Sequence, residues 1–289
     1  MSNKFSGLLI MTDLDGTFMG RGTSLVPRNL EAVERFKAQG GLFTFATGRG
    51  PSNLFNIIPH PEDIVNAPLS LSNGSCLYDA ASRRSLQDYV MEQPVALELV
   101  RFLRSAYPEL GMRISATDGF VVDPDDEVAR HNLRTVPSED IMLVPYTDLM
   151  PGAWYKIVLI GDPERLEQVR EACRERYGDD VGFDKSGKRL LEFHRKDRTK
   201  ATMIDTFREM YDRSDRPLTV CCVGDYENDI EMLRRADIAV CPANASDAVK
   251  SLCRLCLCSN YDGVIGDLVE YFERNYTDGT LQASAALTK

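Results

Sequence analysis

In the segment LLIMTDLDGT, residues 8–17, an apolar run ends in two aspartates one residue apart. Asp13 and Asp15 are followed directly by Gly16 and Thr17. Two carboxylates this close repel each other, and burying them without a partner is costly or shifts their pKa values. The pattern therefore predicts either a solvated turn or a site at which a positive charge belongs between the aspartates.

The composition is that of a globular protein with enough apolar material for a core. Of the 289 residues, 43% are hydrophobic and 27% are charged. The formal net charge is −10, which argues against binding to nucleic acid or to anionic membranes because both favour a positive surface. No segment has the roughly 18 consecutive apolar residues of a membrane-spanning helix, and the run at residues 8–11 is too short for a signal peptide. We therefore expect a cytoplasmic protein.

The eight cysteines agree with a reducing compartment. Cys253, Cys256 and Cys258 form a cluster near the end of the chain. A zinc site on this cluster would need a fourth ligand and a loop, whereas these residues fall where a helix end runs into a strand. We expect small buried hydrophobic side chains rather than metal ligands here, and the role of the cluster stays open.

Apolar strand-like runs alternate with helix-like segments at both ends of the chain, which is typical of a parallel α/β sheet. In the first part, runs at residues 7–12, 41–47 and 69–73 accompany a helix that begins at Pro27 and ends at Gly40. In the last part, a helical pattern follows each of the runs RLLEFHR, LTVCCVG, IAVCPA and RLCLCS. The final segment TDGTLQASAALTK has no strong pattern and is expected to fray.

The middle of the chain has a different pattern. It predicts a helix over PVALELVRFLRSAY, a hairpin over MRISATDGFVVD that turns at Asp118-Gly119, and a strand over AWYKIVLIGD followed by a second helix. The polar stretch VGFDKSGK then serves as a connection. We therefore predict an α/β fold with a Rossmann-like parallel-sheet core, residues 1–85 and 187–289, and an inserted α+β domain, residues 86–186.

Four groups of polar residues fall at the carboxyl ends of predicted core strands, where open parallel sheets bind ligands. They are Asp13 with Asp15, Thr47-Gly48-Arg49, Lys200 at the start of a helix, and Gly224–Asp229. The converging carboxylates of Asp13, Asp15 and Asp225 would repel unless a cation joined them, and hard oxygen ligands favour Mg²⁺. A carboxylate is also a competent nucleophile toward phosphorus, while a lysine and a threonine hydroxyl supply donors for phosphoryl oxygens.

The ordered motifs DLDGT, TGR, a lysine heading a helix, and GDYENDIEML resemble those of the haloacid dehalogenase (HAD) superfamily of phosphohydrolases. The motifs SNG at Ser72–Gly74, ANA at Ala243–Ala245 and YDGV at Tyr261–Val264 resemble its Cof-type branch, which carries a large α/β cap after the second motif. The resemblance covers residues 5–80 and 188–272. The inserted domain matches such a cap in size and position rather than by motif.

The resemblance implies a role for each matching residue. Asp13 would be the nucleophile that becomes phosphorylated, and Asp15 would protonate the leaving oxygen and then deprotonate the attacking water. The residues expected to hold the phosphoryl group or the substrate are Thr47, Gly48, Lys200 and Asn228. The expected Mg²⁺ ligands are Asp13, the backbone carbonyl of Asp15, and Asp225, with Asp229 supporting them from the next helical turn.

Several of these assignments have a structural alternative. Asp13 and Asp15 fit an ordinary turn, and Thr47 fits a helix cap. Asp229 fits an acidic residue that complements a helix dipole.

Three further polar residues leave alternatives open. Lys200 competes with its basic neighbours at positions 195–198, and we prefer it because it is predicted just inside a helix start. Asn244 either lines the site or caps the SDAVKSL helix. His194 is expected to be structural or to lie at the site margin, because Asp15 already supplies an acid and base.

The leading hypothesis is Mg²⁺-dependent hydrolysis of a small phosphorylated metabolite, and a sugar phosphate is the usual substrate class that the resemblance implies. One alternative is a phosphomutase or phosphotransferase with the same core and cap. Another is a non-catalytic phospho-acceptor or binding protein like a receiver domain, against which the large insertion and Asp15 argue. We expect a monomer or homodimer whose partner is the metabolite.

Overall fold

The computed structural model describes residues 3–213, 217–277 and 280–281. In chain order its strands are β1 (Leu8–Thr12), β2 (Leu42–Phe45), β3 (Leu69–Leu71), β4 (Cys76–Asp79), β5 (Arg84–Asp88), β6 (Gly111–Ala116), β7 (Gly119–Val122), β8 (Ile141–Leu143), β9 (Trp154–Ile160), β10 (Val181–Gly187), β11 (Leu190–Arg195), β12 (Thr219–Val223), β13 (Ile238–Pro242), β14 (Leu255–Leu257), β15 (Tyr276–Thr277) and β16 (Thr280–Leu281).

The α-helices are α1 (Pro27–Ala38), α2 (Pro51–Ile57), α3 (Pro61–Ile64), α4 (Gln93–Ala106), α5 (Glu127–Asn132), α6 (Pro163–Tyr177), α7 (Thr202–Tyr211), α8 (Ile230–Arg235), α9 (Asp247–Lys250) and α10 (Val264–Asn275). Within the described residues, no helix is long and apolar enough to cross a membrane.

The core is a five-stranded parallel sheet in the order β14-β13-β12-β1-β2. All five residues of β1 are buried. Leu8 and Ile10 pack in a cluster with residues of α1 and α10, whereas Leu9 and Met11 pack with residues of α7 and α8. This two-sided burial explains why the strand is continuously apolar rather than alternating.

The register of the core sheet aligns the carboxyl ends of β12, β1 and β2. Thr12 pairs with Val223 of β12 on one side and with Phe45 of β2 on the other. The ladder continues one step further, because the Asp13 N–H donates to the Val223 carbonyl oxygen at 2.8 Å. The residues that follow β1, β2 and β12 therefore meet at one edge of the sheet.

A second sheet has six strands in the order β10-β11-β9-β6-β7-β8, and we call it the cap sheet. Its pairings are antiparallel except that between β7 and β8. Alternation along β6 places Met112 and Ile114 in an apolar cluster with residues of α4 and α6. Arg113 and Ser115 lie on the opposite face of the sheet. The predicted fold class, a parallel-sheet core with an inserted α+β cap, is confirmed.

Two details of the predicted organisation are wrong. RLLEFHR belongs to the cap sheet and not to the core, because β11 pairs with β9 and β10. The stretch VGFDKSGK is not a polar connection but β10, an edge strand that exposes polar side chains. The border predicted at residue 187 therefore divides a hairpin, and that at residue 86 falls within β5, which pairs with β4. We propose that the cap runs from about residue 89 to 197.

The expected frayed tail is described only in part. Tyr276–Thr277 and Thr280–Leu281 form a short antiparallel pair, and the rest of TDGTLQASAALTK lies outside the described residues.

A buried asparagine ties the loop after β1 to the helices of the core. The Asn29 side chain, at the start of α1, donates to the Phe18 carbonyl oxygen at 2.8 Å. Its Oδ1 atom accepts from the backbone N–H groups of Ile265 and Gly266 in α10, at 3.0 and 3.1 Å. One side chain thus satisfies three backbone groups that no water reaches.

Asn29→Ala is expected to lower the free energy of unfolding by about 3 kcal/mol or more, because it leaves three buried backbone groups without partners. Chemical denaturation monitored by circular dichroism measures this change. The matched control is Asn56→Ala on the exposed side of α2, which should change stability by less than about 0.5 kcal/mol. Equal effects of the two substitutions would contradict the assigned role of Asn29.

Candidate active site

The centre of the site is a buried lysine held between two carboxylates. Lys200 Nζ lies 2.5 Å from Asp13 Oδ1 and 2.7 Å from Asp229 Oδ1. All three side chains are almost fully buried. Lys200 lies in the turn two residues before α7 begins, rather than just inside the helix as predicted. Its basic neighbours at 195–198 instead pair with surface acids or carbonyl groups.

Burial and charge pull the pKa values of this group in opposite directions. Burial raises the pKa of Asp13 well above its usual value; Lys200 opposes this shift, and the carboxylates of Asp229 and Asp225 add to it. Burial alone would lower the pKa of Lys200, but its two carboxylate partners outweigh it and raise the pKa. Lys200 is therefore a permanent cation beside Asp13.

Asp225 stands next to this centre and packs against the loop after β1. Its Oδ1 atom accepts from the Thr17 hydroxyl at 2.8 Å. A Cβ atom at Gly16 would lie 2.4 Å from Asp225 Oδ2, and Gly16 has a φ of +82°. Only glycine therefore allows the DGT turn to approach this carboxylate so closely. Burial and the charge of Asp229 raise the pKa of Asp225 to about 7.

Asp229 organises the loop after β12. Its Oδ2 atom accepts from the backbone N–H of Asp225 at 2.9 Å and from that of Tyr226 at 3.3 Å. Since Oδ1 binds Lys200, both oxygens already have protein partners. Asp229 therefore fixes the position of Asp225 relative to Lys200.

Three carboxylates form a cluster that could hold a metal ion. Oxygen atoms of Asp13, Asp225 and Asp229 lie within 4.8 Å of one another. Asp13 Oδ2 has no hydrogen-bond partner among the described residues, and Asp13 lines a cavity. The all-oxygen donor set suits a hard cation such as Mg²⁺. The side chain of Asp15 is not part of the cluster, and its predicted role as a ligand through the backbone carbonyl stays a prediction.

Asp15 is bound by a residue of the second motif. Arg49 Nε and Nη2 donate to its two carboxylate oxygens, each at 2.7 Å. Arg49 also donates to Asn53 from Nη1 at 2.5 Å. The Asp15 side chain is half exposed, with an exposed fraction of 51%, so it differs in environment from the buried Asp13.

The loop after β2 lies beside the acids. Thr47 is buried, and its hydroxyl accepts from the Arg49 N–H at 3.2 Å, so it stabilises the turn rather than a helix N-terminus. Gly48 and Asn228 line the same cavity as Asp13. Asn228 donates to Asn73 Oδ1 at 3.4 Å, which links the fourth motif to the SNG turn.

The cavity lies between the core and the cap and has a volume of about 440 Å³. Core residues Asp13, Asp15, Gly48 and Asp225 line its floor, and residues of the cap sheet form the opposite wall. Substrate enclosed there would contact both domains.

Two cap residues that the sequence analysis did not single out connect this wall to the core. Lys156 Nζ donates to Glu192 at 2.6 Å and to the Gly48 carbonyl oxygen at 2.7 Å. Asn73 donates to the same Glu192 at 2.7 Å. The sequence contains a feature that could have indicated each residue. Lys156 is the one charge inside the apolar strand AWYKIVLI, and Glu192 interrupts the apolar residues of RLLEFHR.

The structure shows the contacts of Asn244, His194 and the cysteine cluster, whose roles the sequence left open. Asn244 donates to the Gly16 carbonyl oxygen at 2.8 Å and accepts from the Asn260 N–H, so it braces the DGT turn, while Ser246 caps α9. His194 is buried in the cap sheet with Nε2 3.0 Å from Asp184, and the cavity lining does not include it. In the cysteine cluster near the end of the chain, Cys256 is exposed, and Cys253 and Cys258 are half-buried, so the expectation of buried side chains is wrong there.

The site combines a parallel α/β sheet, a buried lysine among carboxylates at its carboxyl edge, and an inserted sheet that covers this edge. The family model for haloacid dehalogenase-like hydrolases matches residues 10–268. The chain therefore belongs to this family, and its phosphatase relatives identify it as a phosphoric monoester hydrolase.

Relatives and solved structures agree with the family. The chain is 25% identical to the pyridoxal phosphate phosphatase YbhA of Escherichia coli, over 90% of this chain and 97% of YbhA. It is 26% identical to an HMP-PP phosphatase of Yersinia pestis, over 82% of this chain and 84% of that protein. The crystal structure of SMU.1108c from Streptococcus mutans superposes with a TM-score of 0.81 at 19% identity, over 92% of this chain and 99% of that chain. At this identity it shows the fold alone.

The raised pKa of Asp225 predicts a pH-dependent stability in metal-free buffer with chelator. A carboxyl whose pKa is higher in the folded than in the unfolded state stabilises the fold at low pH, and this contribution is lost as pH rises through about 7. The difference in unfolding free energy between wild type and Asp225→Asn should therefore fall by about 1 kcal/mol per pH unit from pH 5 to pH 7.

Urea denaturation of both proteins across this range measures the difference. Asp212→Asn, at the end of α7 and outside the site, controls for the general effect of removing one carboxylate. A difference that is constant with pH would show that Asp225 does not titrate as assigned.

Proposed function

We propose that the chain hydrolyses a small phosphorylated metabolite in the presence of Mg²⁺, through a phosphorylated Asp13. The observation that carries this proposal is the environment of Asp13. One of its oxygens is paired with Lys200, the other has no hydrogen-bond partner in the part of the chain that the structure describes, and the residue lines the cavity. A carboxylate held in this way is available to attack phosphorus.

The residues present fit a Mg²⁺ ion. Asp13 and Asp225 would be its side-chain ligands, and the Asp15 carbonyl oxygen would be a third. Asp229 would hold Asp225 in place, because its own oxygens have protein partners. When bound, the ion would balance the converging carboxylates and the charge of the phosphoryl oxygens.

In the first step, an Asp13 oxygen forms a bond to phosphorus while the bond from phosphorus to the ester oxygen breaks. The carboxyl group of Asp15 gives its proton to the leaving oxygen. In the second step, a water oxygen attacks phosphorus, its proton goes to the Asp15 carboxylate, and the Asp13 carboxylate leaves. Inorganic phosphate is released and both aspartates regain their starting state.

The same scheme assigns a role to Arg49. While its guanidinium donates to both oxygens of Asp15, that carboxylate cannot approach the leaving oxygen freely. We propose that Arg49 shares its donors with the phosphoryl group when substrate binds, which releases Asp15 for proton transfer. Thr47, Gly48, Lys200 and Asn228 would complete the phosphate site.

The substrate class is part of the proposal. The relatives named above act on pyridoxal phosphate and on HMP-PP, both small phosphorylated metabolites. A sugar phosphate remains our preferred class, and a phosphomutase or phosphotransferase remains the alternative reaction.

Among the described residues no cysteine forms a disulfide, which fits a cytoplasmic protein.

Asp13→Asn is expected to lower phosphate release by at least about a thousandfold, because the amide cannot serve as the nucleophile. The assay is a panel of phosphorylated metabolites that includes sugar phosphates and pyridoxal phosphate, with Mg²⁺ present. EDTA should abolish the wild-type activity, and added Mg²⁺ should restore it. Asp63→Asn, at an exposed position in α3, is the matched control and should retain full activity.

Three results would contradict the proposal. Wild type that releases phosphate from no member of the panel would argue against a phosphatase of small metabolites. Full activity of Asp13→Asn would exclude Asp13 as nucleophile. Activity that persists in EDTA would exclude the metal.

A further inference from the structure

Arg113 is a buried cation on the cap wall of the cavity. It lies on β6, its exposed fraction is 9%, and it lines the cavity opposite the acids of the core. Nε donates to Asn132 Oδ1 at 3.0 Å, and Nη1 donates to the Ser115 hydroxyl at 2.9 Å. Both partners are uncharged, so the guanidinium is oriented by them but not neutralised.

Every other buried basic side chain among the described residues lies beside a carboxylate. Lys156 is 2.6 Å from Glu192, Lys200 is 2.5 Å from Asp13, and His194 is 3.0 Å from Asp184. No carboxylate oxygen lies within 4.0 Å of Arg113 in the described part of the chain. A buried charge without an ionic partner is costly, and proteins retain one where it serves a function.

The donors that remain free are those suited to an anion. Nη2 has no protein partner among the described residues, and Nη1 has a second N–H beyond the one given to Ser115. These two nitrogens form the end-on fork that matches a carboxylate or a phosphate. The Phe120 ring lies against one side of the guanidinium, with its centroid 5.2 Å from the guanidinium carbon.

The other cations that line the cavity are paired with carboxylates, so Arg113 is the charge on this wall that a bound anion could balance. Lys156 and Glu192 neutralise each other, and Arg49 is neutralised by Asp15. Burial lowers the pKa of Arg113; the charge of Glu192 opposes this shift without cancelling it, and the charge of Arg49 adds to it. An anion bound directly at Arg113 would offset the effects of burial and of Arg49.

We propose that Arg113 selects phosphate monoesters that carry a second anionic group, a carboxylate or a second phosphate, on the part of the molecule away from the reacting phosphoryl group. This inference rests on the proposed phosphatase function and specifies its substrate class. The reacting phosphoryl group lies over Asp13, and the second anion binds the fork of Arg113 on the opposite wall. Phe120, Leu133 and Leu190 give the space between them a partly apolar surface.

The experiment compares matched substrates that differ in the second anion. Glycerol 3-phosphate is paired with 3-phosphoglycerate, which adds a carboxylate, and fructose 6-phosphate with fructose 1,6-bisphosphate, which adds a phosphate. The ratio of kcat/KM within each pair is measured for wild type, Arg113→Met and Arg113→Lys. The rate with p-nitrophenyl phosphate, which has no second anion, reports damage to the phosphate site itself.

Wild type should prefer the member with the second anion by about tenfold or more in at least one pair, and the responding pair identifies carboxylate or phosphate. Arg113→Met should reduce that ratio to about one, and Arg113→Lys should retain part of it because the charge stays but the fork is lost. Arg130→Met, an exposed cap arginine outside the cavity, should leave the ratio unchanged.

Two results would overturn the inference. A wild type that hydrolyses phosphate esters but shows no preference in either pair would exclude a second anion site. If Arg113→Met lowers kcat/KM equally for both members of a pair and for p-nitrophenyl phosphate, Arg113 has a structural role in holding Asn132 in place. Absence of hydrolysis with every substrate, p-nitrophenyl phosphate included, would instead contradict the proposed function and with it the inference.

Discussion

Two buried ion pairs, of Lys200 with Asp13 and with Asp229, hold three separate segments of the chain together. Three charges removed from water are tolerated only when they are paired, and here one cation serves two carboxylates. These ion pairs join the end of β1, the loop after β12 and the turn that leads from β11 into α7. The chain therefore returns from the cap at the point where the acids converge, so the geometry of the site and the insertion of the cap are fixed together.

A second set of contacts extends this arrangement into the cap. Lys156 binds both Glu192 within the cap sheet and the Gly48 carbonyl of the core, and Asn73 reaches the same glutamate from the SNG turn. The cap wall of the cavity is thus held against the loop that lies beside Asp13. Arg113 is on this wall but has only neutral partners, which separates it from the residues that join the two sheets.

The sequence predicts much of the core because its signals are local. The apolar run of β1 and the polar residues after the parallel strands are enough to place Asp13 and Asp225 at one edge. Lys200 follows β11 of the cap sheet, so its prediction rests on the lysine motif near a helix start and not on the order of the parallel strands. The sheet to which β11 belongs was not predictable in this way, since an apolar strand has the same pattern in either sheet. The pairing of Asp15 with Arg49, and that of Lys156 with Glu192, requires the tertiary structure because 34 and 36 residues separate the partners.

The proposed reaction transfers the phosphoryl group to Asp13 before water releases it, and trapping the phosphorylated residue tests this step. Asp15→Asn, given p-nitrophenyl phosphate and Mg²⁺, should accumulate the intermediate, because this leaving group needs no acid while the attack of water still needs a base. After acid quench and tryptic digestion, mass spectrometry should find one phosphoryl group on the peptide of residues 5–21, at Asp13. Continued release of p-nitrophenol with no phosphoryl group on that peptide, or with one on another residue, would contradict the account.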